Sequence, residues 1–295
     1  VASAGLFVFR RLRFAPALKA GDYILIGFLA ASFVWFHALK YAFIQAPLLV
    51  YALRRIWKRE DRERRMSRLA ALIAPAGLCA ALYLAFQYSL YGSLNPTAVS
   101  WQGAMDGRQT LGFVKNLFTG IPFRFRWETL AGYFFDQKDG LLFYAPVYAL
   151  AFAGLVETAR RKARDFWILL FVTSPYVLVS AFLTQRTGYA PQARPLTAVI
   201  WALILGLGSY LAYRPKEYPS RTLSFLAGAG FLMTGLLLWN PVGLYQETTV
   251  GSVERGGSVF YALSNLHFHL INLLPSYIKS GEGVWLPNFI WPAAL

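Results

Sequence analysis

Long apolar blocks, separated by short basic loops, constrain the fold of this 295-residue chain more than any other feature. A hydrocarbon core of roughly 30 Å takes about 20 helical residues to cross, and backbone groups in lipid must be hydrogen-bonded within their own segment. Charged residues make up only 15% of the chain, against about 25% in a soluble domain, and the blocks do not alternate as barrel strands would. We therefore predict an all-α fold, a polytopic transmembrane helical bundle with roughly six or seven spans.

The distribution of basic residues predicts the orientation of this bundle. Most of the 29 Lys and Arg residues lie in four short loops that adjoin apolar blocks, at 10–19, 54–68, 160–164 and 214–221. This positive-inside pattern places the four loops in the cytoplasm. The same distribution indicates that the formal charge of +15 does not serve nucleic-acid binding. The cluster at 54–68 is predicted to be a solvated loop that also lies against anionic headgroups.

Turn residues and charges order the predicted spans. Residues 1–9 end a span that arrives at the cytoplasm. Residues 23–39 and 42–53 are predicted to form the arms of a tightly packed or partly re-entrant hairpin, and further spans are predicted at 69–90, 141–156, 166–183, 195–213 and 223–239. Lys40 and Tyr41 are predicted to form an outer turn between two short arms. Because the chain opens at Val1 with the end of a helix, we expect part of the protein to precede it.

Two outer segments complete the predicted organisation. Residues 91–139 form an outer loop, which begins where Tyr91-Gly92 breaks the preceding helix. The transmembrane domain is predicted to cover residues 1–240. Residues 241–295 are predicted to be an extracytoplasmic tail that lies at the membrane interface, because their Trp and Tyr side chains suit the headgroup level.

The candidate site residues are charges on the predicted outer face, where a cation is unusual and a charge at membrane depth is costly. Lys40 either extends to the interface or binds an anionic headgroup or phosphate. Arg186 and Arg194 flank a Gly/Pro loop that contains Tyr189, which is either an ordinary turn or a bidentate phosphate site.

Two acids on the same face allow two interpretations. Asp136 and Asp139 precede the predicted helix at Leu141, so they either favour its N-terminus or act as paired carboxylates for acid/base chemistry or a divalent cation. Arg124 and Glu128 belong to an aromatic stretch that reads as an amphipathic outer helix. Common motifs of soluble enzymes are absent from the sequence: it contains no nucleotide-binding loop, zinc-protease motif or Cys/His cluster.

Several segments resemble bacterial membrane glycosyltransferases of the GT-C superfamily, of the mannosyltransferase and aminoarabinose-transferase type, in their C-terminal portion. Residues 136–146 read Asp-Gln-Lys-Asp-Gly-Leu-Leu-Phe-Tyr-Ala-Pro, similar to the D-x-x-x-G-L-L-x-Y-x-P segment of that superfamily. Residues 91–96, Tyr-Gly-Ser-Leu-Asn-Pro, and 188–196, Gly-Tyr-Ala-Pro-Gln-Ala-Arg-Pro-Leu, resemble its helix exit and outer loop. With the hairpin at 33–53, the resemblance covers residues 20–215.

The resemblance implies a transferase of the cytoplasmic (inner) membrane with an extracytoplasmic active face. Its donor is a polyprenyl-phosphate-linked sugar and its acceptor a lipid, glycan or protein. The donor phosphate would be held by Lys40, Arg186, Arg194 and Tyr189. The catalytic acid of such enzymes lies in a first outer loop that this chain lacks, so it is expected before Val1.

The resemblance leaves other interpretations open. No resident metal is assigned, although the outer acids leave room for a divalent cation. The alternative function is a non-catalytic GT-C-like membrane subunit that anchors a larger assembly with other membrane subunits. A transporter or flippase is disfavoured, because the chain has no internal repeat and almost no charge at the midplane of its spans.

Overall fold

A computed structural model describes most of the chain. The described residues are 2–15, 17–92, 94, 115, 119–182, 194–213, 220–239, 258–264, 268–277 and 285–294. Within these ranges all regular secondary structure is helical, so the predicted all-α fold class is confirmed. The helices are α1 (Ala2–Phe14), α2 (Ala20–Ala31), α3 (Val34–Arg59), α4 (Arg62–Tyr91), α5 (Phe123–Phe135), α6 (Leu141–Tyr144), α7 (Tyr148–Arg161), α8 (Ala163–Phe182), α9 (Ile200–Tyr213), α10 (Ser220–Trp239), α11 (Ser258–Ala262) and α12 (Pro287–Ala294).

Three of these helices are long and apolar enough to cross a membrane, which is compatible with a membrane protein. They are α4, α8 and the part of α10 at Arg221–Trp239. Each agrees with a predicted span, at 69–90, 166–183 and 223–239. The described α2 and α9 are apolar but shorter. The predicted total of six or seven spans, with an outer loop and an outer tail, stays a prediction.

The predicted turn at Lys40-Tyr41 is wrong. The chain is helical from Val34 to Arg59 without interruption at these residues, and the break between α2 and α3 lies instead at Ser32-Phe33. Ala, Leu and Lys, which surround position 40, are among the strongest helix formers, so nothing there stops the helix. Ser32 follows the last residue of α2, and its hydroxyl donates a hydrogen bond of 2.8 Å to the carbonyl of Leu29.

Other predicted helix ends change for local reasons. The predicted span at 141–156 is divided into α6 and α7, because Pro146 has no N–H and its ring interrupts the helix. The span predicted from residue 195 begins as a short 3-10 turn, Arg194–Leu196, and becomes α-helical at Ile200. The predicted break after Tyr91 is confirmed, since Gly92 ends α4 with a left-handed φ of +62°.

The chain divides into two compact units, residues 1–120 with 170–176, and residues 121–169 with 177–295. In the first unit, α2 packs closely on α4, and a Cβ on Gly27 would lie 3.1 Å from the Pro75 ring. Arg55 is buried and donates hydrogen bonds to the carbonyls of Leu12 and Ala15. It thereby satisfies backbone acceptors at the end of α1.

The second unit is built on a close crossing of α7 and α9. Gly154 and Gly206 face each other's helices, and a Cβ on Gly154 would lie 2.7 Å from the Tyr210 nitrogen. An apolar cluster in the same unit joins Tyr144 and Leu237 to Phe260 and Leu274, so the segments after residue 257 pack on its helices. The predicted domain boundary at residue 240 concerns membrane placement and stays a prediction.

Candidate functional site

The acidic segment between α5 and α6 is almost completely buried. Its residues Asp136, Gln137, Lys138 and Asp139 are 0%, 0%, 2% and 4% exposed. Charged side chains are almost never buried to this extent unless they are paired. The contacts of the segment therefore decide whether its acids are available for chemistry.

Both carboxylate oxygens of Asp136 accept hydrogen bonds from the backbone. Oδ1 accepts from the Lys138 N–H at 2.7 Å, and Oδ2 accepts from the Tyr277 N–H at 2.5 Å. The first bond closes the turn after α5, and the second holds a residue 141 positions away in sequence. Asp136 thus joins two distant parts of the second unit.

Gln137 adds further bonds to the same distant segment. Its backbone N–H donates to the Pro275 carbonyl at 3.0 Å, and its side-chain amide donates to the carbonyls of Ile271 and Leu274 at 3.1 and 3.3 Å. The Tyr144 hydroxyl donates to the Gln137 carbonyl at 2.8 Å. We call residues 136–140 and their partners at 271–277 the polar clamp.

Gly140 closes the polar clamp because no larger residue fits its position. Its N–H donates to the Asp136 carbonyl at 2.7 Å, and an added Cβ would lie 2.5 Å from that same oxygen. The Asp, Gly, Tyr and Pro of the 136–146 motif therefore each have an architectural role: Asp136 and Tyr144 bond the clamp, Gly140 fits it, and Pro146 ends α6.

These contacts limit the chemistry of the acids. A carboxylate whose two oxygens accept backbone N–H bonds in a buried site is poorly placed to take a proton from an acceptor hydroxyl. In the part of the chain that the structure describes, no group of three or more His, Cys, Asp or Glu side chains could hold a metal ion. Asp136 is thus a structural residue of the polar clamp, and Asp139 lies buried in the same segment.

A second cluster lies where α3 begins and α4 ends; we call Trp35, Tyr83, Phe86 and Gln87 the aromatic end. The Trp35 ring packs edge-on against Tyr83, with 5.8 Å between centroids, and in a tilted arrangement against Phe86, with 5.5 Å between centroids. Gln87 is 2% exposed, and its amide N–H donates to the Tyr83 hydroxyl at 2.7 Å.

The aromatic end carries an unsatisfied polar group. Among the described residues, the side-chain oxygen of Gln87 has no hydrogen-bond partner. A buried carbonyl without a donor costs free energy, and polar groups inside an apolar helix tend to serve a function. Sequence reasoning missed this pair, although a Tyr and a Gln four residues apart in an apolar block share one helix face.

The structure places Lys40 by its backbone, while its side chain lies outside the described part. Lys40 follows Trp35 by five residues on α3, and the next residue, Tyr41, stacks on the buried Tyr176 ring at 5.8 Å. Lys58, in the last turn of α3, is eighteen residues further along. At about 1.5 Å per residue this is about 27 Å, close to the roughly 30 Å of a hydrocarbon core.

The other predicted phosphate ligands are Arg186, Tyr189 and Arg194. Arg186 and Tyr189 lie outside the described residues, and so does the side chain of Arg194, whose backbone begins a 3-10 turn. The predicted helix around Arg124 and Glu128 is confirmed as α5, with an ion pair of 2.6 Å between these two residues. Comparison with protein-family models, with curated proteins and with solved structures gives no significant match to this chain.

Proposed function

We propose that the chain is the helical membrane part of a glycosyltransferase of GT-C type. It moves a sugar from a polyprenyl-phosphate donor to a lipid, glycan or protein acceptor on the outer side of the cytoplasmic membrane. The helices α4, α8 and α10 cross that membrane as parts of a multi-pass bundle. The cations at 54–68, on either side of the turn between α3 and α4, face the cytoplasm, as positive-inside loops do.

The position of Lys40 carries this proposal. Lys40 lies on α3 about 27 Å from Lys58 in the basic last turn of the same helix, which is the separation expected of groups at the two boundaries of a bilayer. An ammonium at the outer boundary suits the phosphate of a lipid-linked donor. The neighbouring aromatic end supplies rings and an unpaired amide oxygen for a polar group of the donor.

The roles of the residues follow from the chemistry of displacement at the anomeric carbon. Lys40, with Arg186, Arg194 and Tyr189, binds the donor phosphate and stabilises its charge as it leaves. A carboxylate activates the acceptor hydroxyl, and this role is not given to Asp136, whose oxygens are occupied in the polar clamp. No divalent cation is assigned to the acids of the clamp.

A transfer assay on the full-length protein in nanodiscs, with a panel of radiolabelled polyprenyl-phosphate sugars, tests the proposal. Removal of one charge-assisted hydrogen bond costs about 1.5–3 kcal/mol, so Lys40→Ala should lower kcat/KM for the accepted donor by at least about tenfold. Lys58→Ala, which removes a lysine from the other end of the same helix, is the matched control and should leave kcat/KM unchanged.

The opposite result supports the second candidate function. If a folded wild-type protein neither turns over nor binds any donor in the panel, the proposal fails and a non-catalytic membrane subunit replaces it. The polar clamp favours that alternative, because it uses the acids of the motif to hold the chain together. A matched loss of activity in Lys40→Ala and Lys58→Ala would also contradict the assigned role of Lys40.

A further inference from the structure

The ends of α3 and α4 on either side of the turn at Glu60-Asp61 carry one set of arginines with structural roles. Arg55 is buried, 6% exposed, and binds the end of α1. The guanidinium of Arg68 lies 3.7 Å from the carboxylate of Glu60, which also accepts a hydrogen bond of 3.0 Å from the Tyr23 hydroxyl. These contacts join α1, α2, α3 and α4 at one end of the first unit.

A second set of cations on the same turn points to solvent. Its members are all exposed and are Arg54, Lys58, Arg59, Arg62 and Arg64. Within the described part of the chain, no ion pair joins them to a carboxylate. The exposed acids in their midst are Asp61 and Glu63, so cations outnumber carboxylates on this surface. The structural contacts of the turn do not account for this charge.

Large apolar side chains are exposed beside these cations. Trp57 is 61% exposed and Met66 is 71% exposed, and the Arg65 guanidinium lies 4.9 Å from the Trp57 ring centroid. Tryptophan favours the level of lipid headgroups, where its ring is partly in contact with acyl chains. The surface formed by residues 54–66, which we call the basic turn, thus combines positive charge with apolar groups at the start of α4.

We propose that the basic turn binds the phosphate headgroups of anionic phospholipids. Its exposed cations complement a negative leaflet, whose attraction falls off within a Debye length. Trp57 and Met66 reach the boundary between headgroups and acyl chains. A lipid has acyl chains for these side chains to contact, whereas a soluble anion has none. This inference requires that α4 crosses the membrane, and it does not depend on transferase activity.

The test compares the binding of phosphatidylglycerol and phosphatidylcholine to the full protein in detergent micelles, with retained lipids counted by native mass spectrometry. The wild type should retain phosphatidylglycerol preferentially. In the variant with Arg54→Gln, Lys58→Gln and Arg59→Gln, the ratio of retained phosphatidylglycerol to phosphatidylcholine should fall at least about tenfold. The reason is that each cation near an anionic surface strengthens binding roughly fivefold. Its helix content, measured by circular dichroism, should equal that of the wild type because all three side chains are exposed.

The matched control removes exposed cations from the second unit, with Arg160→Gln, Lys162→Gln and Arg164→Gln. It should keep most of the preference, because Glu157 and the Tyr213 ring already contact Arg160 and Lys162. Equal retention of both lipids by the wild type, or equal losses in the two triple variants, would overturn the proposal. Competition by millimolar inorganic phosphate as strong as that by phosphatidylglycerol would also overturn it. If the first variant fails to fold, a salt titration of the wild type decides: retention of phosphatidylglycerol that does not fall with NaCl contradicts the inference.

Discussion

At the residue scale, burial and hydrogen bonding decide what a charged side chain can do. Asp136 sits in a sequence that equally suits a catalytic acid, a metal ligand or a helix-end residue. Its full burial and its two backbone donors, at 2.7 and 2.5 Å, make it a structural residue of the polar clamp. The proposed activity therefore does not use Asp136 as a catalytic acid or base.

We predict that Asp136→Asn destabilises the protein without abolishing transfer by the folded molecules. The amide must turn an N–H toward a backbone N–H, which leaves a buried group unsatisfied at a cost of about 1–3 kcal/mol. The midpoint of thermal unfolding in detergent should fall. Glu128→Gln is the control, because its ion pair with the exposed Arg124 contributes at most about 1 kcal/mol. A variant of Asp136 with unchanged stability and no activity would show a catalytic role instead.

Sequence reasoning identified Asp136 as a residue of interest but not its role. The partner that defines the role, Tyr277, is 141 residues away, and no local pattern links the two. The same limit explains why the aromatic end was missed: the contact of Trp35 with Tyr83 depends on how α3 packs on α4. Local sequence predicts which residues are unusual, whereas long-range packing decides what they do.

At the element scale, small residues determine which helices pack closely. The crossing of α7 and α9 depends on Gly154 and Gly206, which let the two backbones approach. Close packing through small residues is a common source of association between helices in membranes, where burial of apolar surface gives little driving force. This crossing therefore positions the helices of the second unit.

Two glycines of α9, two residues apart, allow a matched test of this crossing. A Cβ on Gly206 would lie 2.5 Å from the Ala151 carbonyl oxygen and 2.9 Å from Leu155 Cγ, whereas a Cβ on Gly208 would meet nothing within 4 Å. Gly206→Ala should destabilise the protein by about 1–3 kcal/mol through overpacking. Gly208→Ala should be neutral or stabilise it by up to about 1 kcal/mol. Equal unfolding midpoints for the two variants would refute the packing role.

The long apolar blocks of the sequence correctly predicted the three helices that are long and apolar enough to cross a membrane. The described α4, α8 and α10 agree with their predicted spans because about 20 apolar residues in a row have no other stable arrangement in lipid. The predicted turn at Lys40-Tyr41 is wrong, because a single charge in an apolar block does not by itself indicate a turn. One lysine does not end a helix, since its flexible stem is compatible with helical geometry, and the break occurs at Ser32-Phe33 instead.

At the scale of the whole molecule, both proposals depend on the orientation of the hairpin formed by α3 and α4. The donor site at Lys40 requires the outer side of the membrane, and the basic turn requires the side with anionic lipid. The helix α4 runs for 30 residues from Arg62 to Tyr91, or about 45 Å at 1.5 Å per residue. Its two ends therefore lie on opposite sides of the bilayer in this account.

Cysteine labelling of the two ends of α4 tests this arrangement most directly. The single native cysteine, Cys79, is buried and is replaced with alanine, and Arg62→Cys and Tyr91→Cys are introduced separately. With a membrane-impermeant maleimide on intact cells, we expect Tyr91→Cys to react and Arg62→Cys to react only after the cells are permeabilised. Reaction of both from the same side, or the reverse pattern, would contradict the proposed topology and with it the placement of Lys40 on the outer face.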